Sequence, residues 1–288
     1  MTAISRRAFL KALGISAAAT AAPWTAIHAL GMGTTAERST SLWGRALETA
    51  AVTDGWGRTV RVMLPDAVTP LTPLAAGMVK LADGYAARRA FQPMARMTEW
   101  ATPSEAGWVE VAAPYAALRA WCAADAPLVA RPGWGGVLYA GDLLAVDGVA
   151  WLGLGAREGE VIGWSPAAAW TPADTAVQPG SSVTLVIERE QRRLRVLRGG
   201  AVLWEADAAL PAELPAGEFP LVGRNPVDLA TQTGAPWALD FGAWRICGAY
   251  WHNCFGTDDD YWPAQAVELP VAAARALYLL PLGAARIV

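Results

Sequence analysis

Lysine is almost missing from this chain. Only Lys11 and Lys80 occur, the other cations being arginine. Lys+Arg (23) falls short of Asp+Glu (26), for a formal net charge of −3. Phosphate backbones are held by clustered cations, so this balance excludes nucleic acid as the main partner. Histidine is equally scarce, with His28 and His252 alone. Two histidines and three scattered cysteines without CxxC spacing do not supply a zinc site. There is no GxGxxG in a strand-to-helix setting, no Walker loop and no HExxH, and no cofactor is expected. No apolar run reaches the roughly 20 residues that span a bilayer. Charged residues make up 17% against 54% hydrophobic, which excludes a disordered chain and leaves ample material for a core. A length of 288 residues allows one large domain or two to three small ones. What is abundant is tryptophan, at 15 residues. That number points to a β-rich protein with many half-buried indoles.

The first 29 residues read as an address. Ser5-Arg6-Arg7-Ala8-Phe9-Leu10-Lys11 is a twin-arginine export motif in nearly full form, and an apolar run from Ala12 to about Ala22 follows it. Cleavage is expected after Ala21 or Ala29. The expected location is periplasm, cell wall or extracellular space, with no stable membrane span once the signal is removed. In such an oxidising setting Cys122, Cys247 and Cys254 are an odd number. At least one thiol stays unpaired within the chain.

Residues 30–52 read as a linker, with a weakly amphipathic helix expected over 40–51 and Ser39 or Thr40 as its cap. From Asp54 the texture becomes strands and turns. Gly57-Arg58-Thr59-Val60-Arg61-Val62-Met63-Leu64 alternates as a strand does. Gly77 to Tyr85 and then Phe91-Gln92-Pro93 complete a small β-barrel module over 53–97. A second β module over 98–178 holds a strand at Trp108-Val109-Glu110-Val111-Ala112 and a Pro/Gly loop over 127–136. It repeats the rhythm of the first: Gly148 to Leu154 as strand, Gly163-Trp164, then Trp170-Thr171-Pro172. From Ser182 a longer domain runs to 288. It opens with Ser182-Val183-Thr184-Leu185-Val186-Ile187 and its hairpin partner Gln191 to Leu197, and closes on a helix from Pro270 to Leu280. The expected fold class is mainly β: small barrel modules, then a β-sandwich domain with one late C-terminal helix.

The last domain resembles the L,D-transpeptidase catalytic domain, also called the YkuD domain. Val186-Ile187-Glu188 through Gln191-Arg192-Arg193-Leu194 is similar to the family's opening hairpin. Leu214-Pro215-Ala216-Gly217-Glu218-Phe219 is similar to its T-P-x-G-x-[FY] turn, and Ala235-Pro236-Trp237-Ala238-Leu239-Asp240-Phe241 to its P-W-x-x-x-F strand. Ile246-Cys247-Gly248-Ala249-Tyr250-Trp251-His252-Asn253-Cys254-Phe255-Gly256 closely resembles h-H-G-x-Y-W-H-N-D-F-G. The resemblance covers roughly 54–288 and is firm over 182–280. The front modules resemble the bacterial Src-homology-three-like barrels of some long exported members. The resemblance implies peptidoglycan or another wall component as partner, and a substrate cleft formed by Gly248, Tyr250, Trp251, Asn253, Phe255 and Gly256.

The departures concern the chemistry itself. The family's nucleophile is a Cys in S-H-G-C-x-N, attacking a stem-peptide amide to form a thioester, and an upstream His takes its proton. Here the base position is Cys247. Aligning the tail on Ala266-Val267-Glu268-Leu269 puts Ala266 at the nucleophile. No Ser-His-Gly-Cys occurs in the chain. The reading is therefore a degenerate member that binds the wall or a wall-associated partner. Two alternatives stand beside it: an active enzyme with a relocated thiol, and a structural envelope protein. The catalytic candidates are Cys247, His252 and Cys254, with His252 as base. In an extended stretch 252 and 254 share a face and 247 takes the other. A Cys247–Cys254 disulfide and simple structural thiols compete with that pairing. Asp258-Asp259-Asp260 is read as a solvated acidic loop or a hard-cation site. Tyr261, Trp251 and Trp262 are read as core or as stacking surfaces for sugar or peptide.

Overall fold

The computed structural model describes residues 42–74, 77–95, 99–228, 234–256, 261–264 and 266–288. The export motif, His28 and Asp258-Asp259-Asp260 lie outside the described residues. The described chain is mainly β, with a single α-helix near its C-terminus, Val271–Tyr278. Two compact units are formed. One takes the described residues up to position 95 together with Trp251–Cys254. The other takes the described residues of 99–250 and 255–288.

The first unit holds two antiparallel sheets. Leu42–Ala46 is the middle of three strands, between Val68–Pro70 and Phe91–Ala95. The helix expected over 40–51 does not form. Its place is taken by the Leu42–Ala46 and Ala50–Thr53 strands. The reason is tertiary: Gly44 is a poor helix former, and here it lets the strand lie flat on Leu71. A Cβ added at Gly44 would stand 2.3 Å from the Leu71 Cδ1. The second sheet runs Thr59–Met63, Ala50–Thr53, Gly84–Ala87, Met78–Leu81, Thr72–Pro73. Val52, Val79, Leu81 and Phe91 fill the core between. Within that core Arg45 is 6% exposed. It forms an ion pair with the Asp66 carboxylate at 2.7 Å and donates from Nε to the Gln92 Oε1 at 2.9 Å.

The second unit contains the 98–178 segment and the C-terminal segment together. A seven-stranded sheet runs Leu128–Ala130, Leu118–Arg119, Gly163–Pro166, Val149–Gly155, Val137–Val146, Gly107–Val111, Trp170–Pro172. The loop expected over 127–136 thus contains a short strand, Leu128–Ala130, because residue 118 pairs with 130 and residue 119 with 128. Trp170 is fully buried, and its indole N–H donates to the Ser165 Oγ at 2.9 Å. In each front segment a 3₁₀ turn, Arg88–Ala90 or Ala167–Ala169, precedes a strand led by a fully buried aromatic, Phe91 or Trp170.

Two further sheets make the C-terminal part. One runs Ala201–Asp207, Arg193–Arg198, Val183–Glu188, Leu282–Ile287, Gly217–Pro220. The other runs Gly223–Asp228, Ala235–Asp240, Arg245–Ala249, Ala266–Pro270. The Val271–Tyr278 helix packs on the last three of these strands. Pro270 stands at its N-cap with extended backbone (ψ 136°), where a missing N–H costs nothing. At its other end the Arg224 guanidinium donates to the carbonyls of Tyr278 and, at 2.8 Å, Leu280. Helix C-termini leave carbonyls without intrahelical partners, and a cation there also suits the helix dipole. Replacing Arg224 with Ala is expected to lower unfolding free energy by about 1.5–3 kcal/mol, the range for hydrogen bonds to charged groups. Arg224→Lys should recover only part of it. Urea titration of both variants checks this.

The same helix ties to the seven-stranded sheet. The Arg275 Nε lies 3.3 Å from the Glu110 Oε2, an ion pair by distance although not aligned as a hydrogen bond. Burial raises the Glu110 carboxyl above the ordinary carboxylate range, and Arg275 opposes that shift. Arg275 also lies 5.6 Å from the Trp237 ring centroid. Trp237 is fully buried with φ 59°, in the left-handed region that bulky residues rarely adopt.

Candidate functional site

The family-like segment begins on the Arg245–Ala249 strand, whose parallel neighbour is Ala266–Pro270. The register sets Cys247 directly across from Glu268 and Ala266 across from Arg245. Since side chains alternate along a strand, Cys247, Glu268 and Ala266 share one face. The two positions where the family's base and nucleophile are expected therefore do lie on adjacent strands. What stands there is a thiol and a methyl group.

Cys247 has no exposed surface. Burial pushes its thiol well above the ordinary range. Nearby Glu268 and Asp228 add to the shift, and Arg245 opposes it. Glu268 is 6% exposed, accepts the Tyr261 hydroxyl at 2.8 Å and exchanges backbone hydrogen bonds with Ala209 at 2.9 Å. A thiolate beside a buried carboxylate is disfavoured twice, by desolvation and by like charge. Cys247 is thus a protonated core residue at any pH near neutrality. Gly248 follows because the helix crosses here. A Cβ on it would stand 3.2 Å from the Val271 Cα and 3.3 Å from the Ala274 Cβ. Tyr250 is buried as well.

Trp251–Cys254 belongs to the first unit. The stretch is not a strand, so the alternation expected to put 252 and 254 on one face does not apply. The His252 Nδ1 accepts the backbone N–H of Cys254 at 3.0 Å. The Nδ1 lone pair is thereby engaged by a main-chain amide. The Asn253 Nδ2 donates to the Arg88 carbonyl at 3.0 Å, and both His252 and Asn253 are buried. Trp251 meets the His252 ring at 6.2 Å between centroids. These are anchoring contacts of a loop. No disulfide joins the three cysteines among the described residues. Cys122 is half-exposed in the turn that joins Leu118–Arg119 to Leu128–Ala130.

The chain returns to the second unit at Phe255, which is buried. Gly256 adopts φ 63° and donates to the Ala208 carbonyl at 3.1 Å. A Cβ there would fall 2.5 Å from the Asp207 Cγ. Glycine is required here by both conformation and space. Sequence reading missed Glu268 as a neighbour of Cys247 and Arg192 as a neighbour of Trp262. The first depends on register across the crossover, and the second on a turn whose residues carry no pattern. Among the described residues no three His, Cys, Asp or Glu side chains gather as a metal site would need.

The chain is similar in part to solved L,D-transpeptidases. One from Stackebrandtia nassauensis shares 11% identity over 39% of this chain and 58% of that one, with TM-score 0.33. A cysteine-to-serine variant of the Enterococcus faecium enzyme shares 13% over 38% and 50%, also at 0.33. One from Mycobacterium smegmatis shares 15% over 64% and 100%, at 0.32. The chain thus spans 58% and 50% of the length of the first two. No family model matches the chain, and neither does any curated protein.

Proposed function

We propose that this chain is an exported, L,D-transpeptidase-like envelope protein that binds peptidoglycan or a wall-associated partner without the family's acyl transfer. Export is supported by the Ser5-Arg6-Arg7-Ala8-Phe9-Leu10-Lys11 motif. The family reading is supported by the ordered motifs, above all Gly248-Ala249-Tyr250-Trp251-His252-Asn253 through Phe255-Gly256. The front modules are read as small barrels that contact the wall. No helix among the described residues is long and apolar enough to cross a membrane.

The observation that carries the loss of chemistry is Cys247. It occupies the base position, is wholly buried, and faces a carboxylate that disfavours its thiolate. Ala266, at the nucleophile position, has no attacking atom. A relocated Cys254–His252 pair is disfavoured because Nδ1 is held by the amide of the same cysteine.

The test is the intact mass of the mature protein before and after incubation with a carbapenem, a class that acylates the family's reactive cysteine. The expected result is an unchanged mass. A stable adduct mapped to Cys247 or Cys254 would overturn the degenerate reading and name the nucleophile. Co-sedimentation with purified peptidoglycan sacculi tests the binding half, and failure to sediment would overturn it.

A further inference from the structure

Thr59–Met63 ends the five-stranded sheet of the first unit. Its one strand neighbour among the described residues is Ala50–Thr53. The other side of its backbone therefore presents amide and carbonyl groups with no ladder to join. Within the strand only Met63 is buried. Val60 and Val62, two positions apart, share a face and are 50% and 54% exposed. Leu64, next in the alternation, is 66% exposed. An open apolar edge pairs with strands of other molecules, and soluble proteins usually guard it with proline, lysine or an outward charge. The Val60–Val62–Leu64 row carries none of these, and Pro65 comes only after it ends.

The charges beside the row are settled within the unit. The Arg61 Nε lies 3.0 Å from the Asp83 carboxylate, and an Arg58 guanidinium nitrogen lies 2.8 Å from that of Asp54. An ionic polymer thus finds little net charge to hold. A bilayer could cover the three apolar side chains, but hydrocarbon offers nothing to the amides and carbonyls of the edge. A second strand satisfies both.

The row is also complementary to itself. Antiparallel pairing of two copies about a two-fold axis through Val62 sets Val62 against Val62, Val60 against Leu64 and Arg61 against Met63. Every apolar position of the row then meets another, and no arginine stands opposite an arginine. The exposed stretch 142–146 of the second unit lacks this property. Asp142 and Asp147 bracket it, and full-length antiparallel pairing of two such stretches would set those carboxylates against each other.

We infer that the Thr59–Met63 edge is where two copies of this chain join, antiparallel, into one continuous sheet. The inference does not depend on the wall-binding reading. Five residues of strand are about 17 Å long. A seam of that length is at the small end of specific interfaces, so a dimer Kd on the order of 10 µM is expected.

The test is sedimentation velocity of the mature chain across a concentration range that brackets that Kd. Wild type should pass from monomer to dimer. Val62→Lys, which sets two ammonium groups against each other at the axis, should weaken the dimer about tenfold or more. Val62 is exposed, so this variant should melt as the wild-type monomer does, which separates a lost interface from a lost fold. The register is tested with Val62→Cys in a Cys122→Ser background. Facing positions of an antiparallel pair lie within disulfide reach. In oxidised glutathione this protein should form a covalent dimer much faster than Val222→Cys, an exposed position away from the edge, in the same background. A wild type that stays monomeric, a dimer that Val62→Lys leaves intact, or equal cross-linking at 62 and 222 overturns the inference. A monomeric wild type that needs Val62 to sediment with sacculi overturns it too, and assigns the edge to a wall partner instead.

Discussion

Truncating Arg45 to Ala is expected to unfold the first unit before the second. Arg45 and Asp66 are an almost wholly buried pair, with side-chain exposures of 8% and 10%. Removing one member of a buried ion pair typically costs about 3–5 kcal/mol, because the remaining charge loses its partner in a low-dielectric setting. The Gln92 amide oxygen loses its Nε donor at the same stroke. A domain of this size is stabilised by only about 5–15 kcal/mol in total. Denaturant titration of the full chain should therefore show an early transition for Arg45→Ala, separate from the main one. Replacing both members with apolar residues, Arg45→Met with Asp66→Leu, should recover much of the loss, since no charge is then stranded. A shift below about 1 kcal/mol for Arg45→Ala would show that the pair contributes little and that the apolar core around Phe91 carries the unit alone.

That pair was not legible in the sequence, and the reason is physical. Arg45 lies in a stretch that reads as a weakly amphipathic helix, and its partners are 21 and 47 positions away. Strand pairing with residues 91–95 overrode local propensity. By contrast, the hairpin Val183–Glu188 with Arg193–Arg198 and the late helix were legible, because alternation, a tight turn and an alanine run are local signals. The candidate site divides the same way. The Gly-x-Tyr-Trp-His-Asn block could be read directly, and so could the lack of any Ser-His-Gly-Cys run in the chain. That Cys247 faces Glu268 could not be read, since the parallel partner lies far along the chain and neither strand's own pattern sets the register. That His252 spends its Nδ1 on a main-chain amide required the loop's conformation.

The burial of Cys247 makes a second large effect. Iodoacetamide attacks thiolate, so a thiol that is both sealed and held protonated reacts only when the fold opens. Labelling of Cys247, followed by peptide mapping, is expected to be about a thousandfold or more slower in native protein than in denaturant, in line with a fold stabilised by several kcal/mol. The same group imposes a pH dependence whose sign follows from proton counting. Its folded pKa lies above that of an unfolded thiol, which is about 8.5. Below that value both states hold the proton and stability is unaffected. Above it the unfolded chain has released its proton while the folded chain keeps it, so rising pH favours unfolding. The slope is about 1.4 kcal/mol lost per pH unit until the folded thiol itself titrates. Cys247→Ala lowers stability by opening a small cavity, but it removes this alkaline slope. The readout is the difference between the two proteins' stabilities from pH 8 to 10.5, in which the contributions of all other groups cancel. A parallel pair of curves would mean that Cys247 reaches solvent and ionises in the native state. Cys247 would then be a reactive thiol, and the proposal of lost chemistry would fail with it.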